Sequence, residues 1–186
     1  MTSNVIGSRG LSSTSRVLGF PNPVNEKAAR TVAGGVLVLA VLTVVLSLTA
    51  GTGWLWTSAV LAAGFVARVL TGPTLSPLGR LATQVIAPRL GEPTLVPGPP
   101  KRFAQTLGLL VTGAATVATA SGAYGLAQIM LGLIIIAAAL ESILAFCIGC
   151  KIFAVLMKAG IVPEQTCQEC ARVQSAARPT ADSPSP

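Results

Sequence analysis

Residues 30–50 read RTVAGGVLVLAVLTVVLSLTA, a run in which Arg30 is the only charged side chain. The hydrocarbon core of a bilayer takes about 20 consecutive apolar residues of helix. The run is also longer than the roughly 7 to 15 apolar residues of a signal-peptide core. The stretch therefore predicts a retained transmembrane helix.

Three further apolar stretches, residues 54–71, 103–122 and 124–147, have similar length and composition. Across the chain of 186 residues, 52% are hydrophobic and 10% charged, and the mean hydropathy is +0.72. These values are typical of a membrane protein. We predict an all-α integral membrane protein, a bundle of four transmembrane helices within a membrane domain over residues 26–158. The Ser- and Gly-rich residues 1–25, and the 159–186 tail after about residue 172, are predicted to be disordered.

The basic residues predict the orientation of the spans. They occur before span one, between spans two and three, and after span four: Arg9, Arg16, Lys27, Arg30; Arg80, Arg89, Lys101, Arg102; Lys151, Lys158, Arg172 and Arg178. By the positive-inside bias, both termini and the middle loop are cytoplasmic. Trp54, Trp56 and Tyr124 then mark the outer interface. The net charge of +7 is thus a topology signal and not a sign of nucleic-acid binding, and the expected partner is the lipid bilayer.

The long middle loop has a helix signal of its own. Ser76-Pro77 has the form of an N-cap followed by proline in the first helical position. Apolar residues follow at helical spacing: Leu78, Leu81, Val85 and Ile86. The pattern favours a short interfacial helix on the membrane surface. The alternative is a re-entrant plug packed under the bundle.

Two ionisable side chains fall inside predicted spans, Arg68 in span two and Glu141 in span four. Charges at membrane depth are costly and usually paired. Since similar depths are expected for both, we predict a structural ion pair between Arg68 and Glu141. In the alternatives, Glu141 accepts a proton or orients a cation near the cysteines, or Arg68 snorkels to the inner headgroups.

All four cysteines form two doublets, Cys147-Ile-Gly-Cys150 and Cys167-Gln-Glu-Cys170, and the chain has no histidine. One hypothesis is a working dithiol, Cys147 with Cys150, assisted by Glu141 and by a second helix that begins after a break at Gly149. A second is a zinc site of all four thiolates, which the spacing allows. In a third, the cysteines are incidental.

The favoured function is a cytoplasmic-face platform for thiol redox or sulfur transfer. Whether the protein is an enzyme stays open. One alternative is a structural scaffold, zinc-stapled or metal-free, which would keep its complexes without the cysteines. The other is a transporter of a small sulfur compound, whose uptake would depend on Cys147 and Cys150.

Six short motifs stand out along the chain: Asn25 with Arg30, Phe65-Val-Ala-Arg68, Ser76-Pro77-Leu78, Pro100-Lys-Arg-Phe-Ala-Gln105, Leu140-Glu-Ser142 and Phe146-Cys-Ile-Gly-Cys150. Together they resemble an uncharacterised family of bacterial, largely actinobacterial, four-helix membrane proteins defined as a domain of unknown function. The resemblance covers roughly residues 24–155 and excludes Cys167 and Cys170. It implies a multi-pass protein of the bacterial cytoplasmic membrane. It also suggests a thioredoxin-like or sulfurtransferase-like partner, since such proteins are often encoded nearby.

Overall fold

The computed structural model describes residues 24–72, 76–92 and 94–161. This part of the chain contains two short strands, β1 (Val24–Asn25) and β2 (Leu95–Val96), and six α-helices. The helices are α1 (Glu26–Thr49), α2 (Thr57–Thr71), α3 (Pro77–Leu81), α4 (Gly98–Ala120), α5 (Tyr124–Leu144) and α6 (Ile148–Lys158). A 3-10 turn, Thr52–Trp56, leads into α2.

Four helical segments are long and apolar enough to cross a membrane: Glu26–Thr49, Thr52–Thr71, Gly98–Ala120 and Tyr124–Leu144. They confirm the predicted all-α fold of four membrane helices. Several boundaries differ from the prediction, and the first span already begins at Glu26 instead of residue 30. The third span begins at Gly98 with prolines in its first turn, because that turn has no intrahelical acceptors for its N–H groups and tolerates proline. The fourth ends at Leu144, before the first cysteine.

The start of α1 is fixed by the end of the middle loop. The Asn25 side chain caps the helix by accepting from the Lys27 N–H at 3.0 Å. Strands β1 and β2 pair antiparallel, with Val24 opposite Val96. The Glu26 N–H also donates to the Thr94 carbonyl at 2.8 Å. The segment that enters α4 therefore lies against the N-terminus of α1.

The long helices form a bundle in which α1 packs on α5, α5 on α4, and α4 on α2. The core consists mainly of small and branched side chains, including Val36, Ala40, Leu61, Ala115, Leu131 and Ile134. Membrane helices approach closely where side chains are small. At Gly108 of α4, a Cβ atom would lie only 2.4 Å from the Phe65 ring of α2, so this glycine lets the ring pack directly on the α4 backbone.

Helix α3 starts as the sequence predicts, since the Ser76 side chain accepts from the Gly79 N–H at 3.4 Å and Pro77 is the first helical residue. The chain continues as a π turn, Ala82–Ile86, and a 3-10 turn, Ala87–Leu90. This segment packs on α1. The predicted apolar stripe is divided, because Leu81 is exposed whereas the small Ala82 is buried.

Candidate functional site

The chain breaks between α5 and α6, next to the first cysteine doublet. Ala145 follows α5 in the left-handed conformation, with φ of 54°, and is the single non-glycine residue with positive φ in the described ranges. The Phe146 N–H turns back to the Leu140 carbonyl at 3.1 Å. The break lies before the cysteines, whereas the sequence interpretation put it at Gly149.

This earlier break changes the electrostatic setting of both thiols. Helix α6 begins at Ile148, so Cys147 is its N-cap residue and Cys150 lies in its first turn. Because the free N–H groups of a helix N-terminus favour an anion, the position stabilises a thiolate. A helix C-terminus would disfavour a thiolate, but the fourth span ends at Leu144, three residues before Cys147.

The two cysteines are free and differ in exposure, with Cys147 buried at 8% and Cys150 half-buried. The Cys150 thiol, placed to donate to the Cys147 sulfur, lowers the pKa of Cys147 to about 7, against the opposing effect of burial. The same interaction, together with burial, raises the pKa of Cys150. The N-cap position of Cys147 and this interaction together favour Cys147 as the thiolate of the pair, with Cys150 as its proton donor.

Glycine at position 149 allows α6 to lie directly on α4. A Cβ atom there would come within 2.6 Å of both Cα and Cβ of Ala104. One turn further along α6, the Phe153 ring packs on the Phe103 ring with centroids 5.6 Å apart. These contacts hold the N-terminus of α6, and with it Cys147, against the first turns of α4.

Gly149→Ala is expected to destabilise the protein by about 1 to 3 kcal/mol, because the added methyl group must push α6 away from α4. Gly132→Ala is the matched control, since a Cβ there has no neighbour within 4 Å and alanine favours helix. Unfolding in dodecyl sulfate measures the loss of stability. The rate of Cys147 alkylation measures the displacement of α6 from α4. Equal stability of the two variants would contradict the close α4–α6 contact.

Glu141 forms an ion pair with Lys101, in which the Glu141 Oε1 atom lies 2.7 Å from the Lys101 Nζ atom. Both side chains are largely buried, at 9% and 17% exposure. The sequence interpretation paired Glu141 with Arg68, but within the described residues no ion pair within 4 Å joins those two. The reason is that Lys101 lies inside the first turn of α4 instead of reaching for the headgroups.

Arg68 is 4% exposed and its guanidinium lies 4.3 Å from the centre of the Phe65 ring. Its Nε and Nη1 atoms are buried and make no hydrogen bond within the described part of the chain. The side chain is therefore buried within the bundle, and it forms no ion pair with any acidic side chain in the described part of the chain. The cation–π contact compensates in part for its burial.

A cavity of about 320 Å³ lies in the half of the bundle next to α6 and reaches both Arg68 and Glu141. Its walls are mostly apolar and come from α1, α2, α4, α5 and the start of α6. The polar groups that reach it are Arg68, Gln105, Glu141 and Cys147. Cys150 is not among the residues that line it. The two thiols therefore face different surroundings.

The Arg30 side chain of α1 caps the C-terminal end of α5. Its Nη2 donates to the carbonyls of Ser142 and Ile143, both at 3.2 Å, and its Nε donates to Ser142 at 3.3 Å. The last carbonyls of a helix have no partner within the helix, so an arginine is well suited to bind them. The sequence interpretation used Arg30 as a topology signal and as part of a family motif, and it gave the side chain no hydrogen-bonding role.

The family model for a domain of unknown function, DUF4395, matches residues 24–158. The chain belongs to the DUF4395 family. No curated protein and no solved structure matches the chain. The DUF4395 match includes every residue that lines the cavity and both cysteines of the first doublet.

The second doublet, Cys167 and Cys170, lies outside both the DUF4395 match and the described residues. The proposed four-thiolate zinc site, which needs these two ligands, stays a prediction. Within residues 24–161 as described, no three His, Cys, Asp or Glu side chains come together as metal ligands. Lys101 and Gln105 are the site residues whose roles the sequence interpretation missed, although both lie in the Pro100–Gln105 motif.

Proposed function

We propose that this DUF4395 protein is a membrane platform for thiol–disulfide exchange, with Cys147 and Cys150 as the exchanging pair. The observation that carries the proposal is the position of the doublet across the first turn of α6. There Cys147 is buried beside the cavity and Cys150 is more exposed. A dithiol with one stabilised thiolate and one proton donor is suited to this chemistry.

The exchange begins from the disulfide form. A thiolate of the partner protein attacks the more exposed Cys150 sulfur, a partner–Cys150 disulfide forms, and Cys147 leaves as a thiolate. A second partner thiol then attacks the partner sulfur, and Cys150 is released with a proton. The partner dithiol is thereby oxidised by two electrons and the Cys147–Cys150 pair is reduced by two.

The different environments of the two sulfurs favour this direction of attack. A thiol of lower pKa is the better leaving group. Cys147, with its pKa lowered to about 7 chiefly by the Cys150 thiol, is therefore the better leaving group of the pair. Its burial keeps a protein partner from attacking it directly. A thioredoxin-like protein, which presents an exposed dithiol, has the required chemistry.

The same thiolate supports sulfur transfer as a second candidate. Cys147 would attack the outer sulfur of a donor persulfide, take that sulfur as its own persulfide, and release the donor as a thiolate. Cys150 could then attack the inner sulfur and release hydrosulfide while a disulfide forms. A sulfurtransferase-like donor is the corresponding partner.

The proposal places the doublet at the cytoplasmic face of the bacterial cell membrane. Cations cluster at the end of the bundle that carries α6, including Arg30, Lys101 and Lys151. The half-exposed Trp54, Trp56 and Tyr124 lie in the turns or helix start at the other end. The positive-inside bias supports this orientation. The α3 segment, with Leu81 and Val85 exposed, would then lie at the inner interface.

The test uses the full chain in nanodiscs with Cys167→Ser and Cys170→Ser, so that only the first doublet remains. Diamide is expected to convert Cys147 and Cys150 to one intramolecular disulfide, which reduced thioredoxin then reopens. Mass spectrometry measures the loss and return of two hydrogens. In inside-out vesicles, a membrane-impermeant maleimide is expected to label Cys150 and not Cys147.

Failure to form this disulfide would refute the exchange function. Stoichiometric zinc in the wild-type chain, lost on replacement of Cys167, would favour the zinc-stapled scaffold instead. Uptake of a sulfur compound that requires Cys147 in sealed vesicles would favour the transporter. Persistence of a native complex after all four cysteines are replaced would favour the metal-free scaffold.

A further inference from the structure

The buried guanidinium of Arg68 is the feature of the cavity that the exchange chemistry leaves without a role. Buried donors without partners are rare in folded proteins, because each costs its lost hydration. Among the described residues, the Nε and Nη1 atoms of Arg68 are buried donors without a hydrogen-bond partner. The Arg68 side chain is only 4% exposed and lines the cavity. It offers hydrogen-bond donors at a fixed position, since Phe65 packs against its guanidinium.

A third polar atom without a hydrogen-bond partner among the described residues, Oε1 of Gln105, is also buried in the cavity wall. Around these two groups the wall is apolar, with side chains such as Val36, Val111 and Ile134. A pocket of this kind fits a ligand with an apolar body and a polar group that accepts hydrogen bonds. The volume of about 320 Å³ is near the lower end for small-molecule sites, and it suits a single ring system.

The charges of the site distinguish a neutral ligand from an anionic one. Arg68 and Lys101 supply two positive charges near the cavity and Glu141 supplies one negative charge. The thiolate of Cys147 balances the remaining positive charge. An anionic ligand beside that thiolate would leave an excess negative charge in a low-dielectric site, which is costly. The reduced form of the doublet therefore favours a neutral acceptor.

We propose that the cavity binds a membrane-soluble quinone, that Arg68 donates hydrogen bonds to a quinone carbonyl, and that this quinone oxidises the Cys147–Cys150 dithiol. The proposal rests on the exchange function above and names its electron acceptor. A quinone has an apolar ring, a neutral carbonyl acceptor and the oxidising power that the dithiol requires. Its reduced form adds a hydroxyl group, for which Gln105 offers an acceptor.

The reaction is balanced without a further reagent. The Cys147 thiolate adds to the quinone, and the Cys150 sulfur then attacks the Cys147 sulfur. The S–S bond forms as the bond from Cys147 to the ring breaks, and the electron pair stays on the ring. The Cys150 proton and one proton from water complete the hydroquinone. The dithiol loses two electrons and the quinone gains them.

The position of the cavity gives a quinone a route from the lipid. Leu133 and Ile136 of α5 line the cavity and are 50% and 57% exposed on the side of the bundle. The cavity thus reaches the surface that lipid would cover. The half-buried Cys150 receives electrons from a water-soluble thiol protein, and the buried Cys147 passes them to a lipid-soluble ring.

Decylubiquinone is the probe, because its fully substituted ring resists permanent addition by thiols. Binding is measured in phosphatidylcholine nanodiscs, against empty nanodiscs, with all four cysteines replaced by serine. Arg68→Leu is expected to weaken binding about tenfold or more through loss of a charge-assisted hydrogen bond. Ala137→Leu, which fills part of the cavity and leaves Arg68 in place, is expected to weaken it as well. Arg80→Leu is the matched control, exposed and outside the cavity.

Thermal unfolding identifies any variant that fails to fold. Because the Arg68 and Ala137 variants change the cavity in different ways, each tests ligand binding even if the other does not fold. The reduced wild-type chain is then expected to convert one decylubiquinone to its hydroquinone for each disulfide formed. The quinone proposal is overturned by binding no greater than in empty nanodiscs, by equal binding in the Arg68 and Arg80 variants, or by no hydroquinone. If diamide cannot form the disulfide, the exchange function fails, while the thiol-free variant still reports on the cavity.

Discussion

Lys101→Met is expected to destabilise the bundle by about 3 to 5 kcal/mol, because it leaves the Glu141 carboxylate buried without its cation. Methionine keeps most of the side-chain volume, so the effect comes from the lost ion pair. Unfolding in dodecyl sulfate, followed by circular dichroism, measures the change. The same variant removes a charge that favours the Cys147 thiolate.

Two further variants make this result specific. Arg102→Met changes the exposed neighbour of Lys101 and is expected to alter stability by less than about 1 kcal/mol. Adding Glu141→Leu to Lys101→Met removes both charges and is expected to recover most of the loss. If the double variant is as unstable as Lys101→Met alone, the ion pair is not the cause.

Cys150→Ala is expected to lower the reactivity of Cys147 toward methyl methanethiosulfonate at pH 7 by about tenfold. The proton that Cys150 shares is the largest cause of the lowered Cys147 pKa, which is about 7 against the ordinary value of 9.0. In the wild-type chain, the thiolate fraction of Cys147 rises as pH increases through about 7. Without the Cys150 donor, the same rise needs a higher pH. Each unit by which the Cys147 pKa rises above the ambient pH lowers the thiolate fraction about tenfold.

Cys150→Ser is the matched control for this measurement, because the hydroxyl group keeps a proton donor at the same position. Its midpoint is expected to lie below that of the alanine variant. The Cys147 peptide is followed by mass spectrometry after brief labelling, in the chain with Cys167→Ser and Cys170→Ser. Identical midpoints in the wild-type chain and the alanine variant would show that the Cys150 side chain does not control the Cys147 thiolate.

Hydrophobic pattern predicts the four membrane helices, because a long apolar run has few structural alternatives. The local sequence also predicts the helix start at Ser76-Pro77, since an N-cap depends only on adjacent residues. The end of α5 is less predictable. Ala145 has no left-handed preference of its own, and only the packing of α6 on α4 explains why the chain turns there instead of at Gly149.

The partners within the site depend on tertiary structure in the same way. Sequence identifies Arg68 and Glu141 as buried charges by their place in apolar runs, but it does not give the rotation of each helix. That rotation turns Lys101 toward Glu141 and turns Arg68 into the cavity, where Phe65, one turn earlier on the same helix, packs on it. Lys101 follows two prolines and resembles a headgroup anchor in the sequence. Its burial depends on α5 and α6 packing beside it.

The hydrogen bonds of Arg30 impose an order on biogenesis. They join the first membrane helix to carbonyls 112 and 113 residues later in the chain. Since the ribosome delivers α1 before α5, these hydrogen bonds cannot form until the end of α5 has been synthesised. The cavity wall that α5 and Cys147 provide is also completed only then. Cys147 and the buried environment that surrounds it are therefore completed together, at the end of synthesis of the membrane domain.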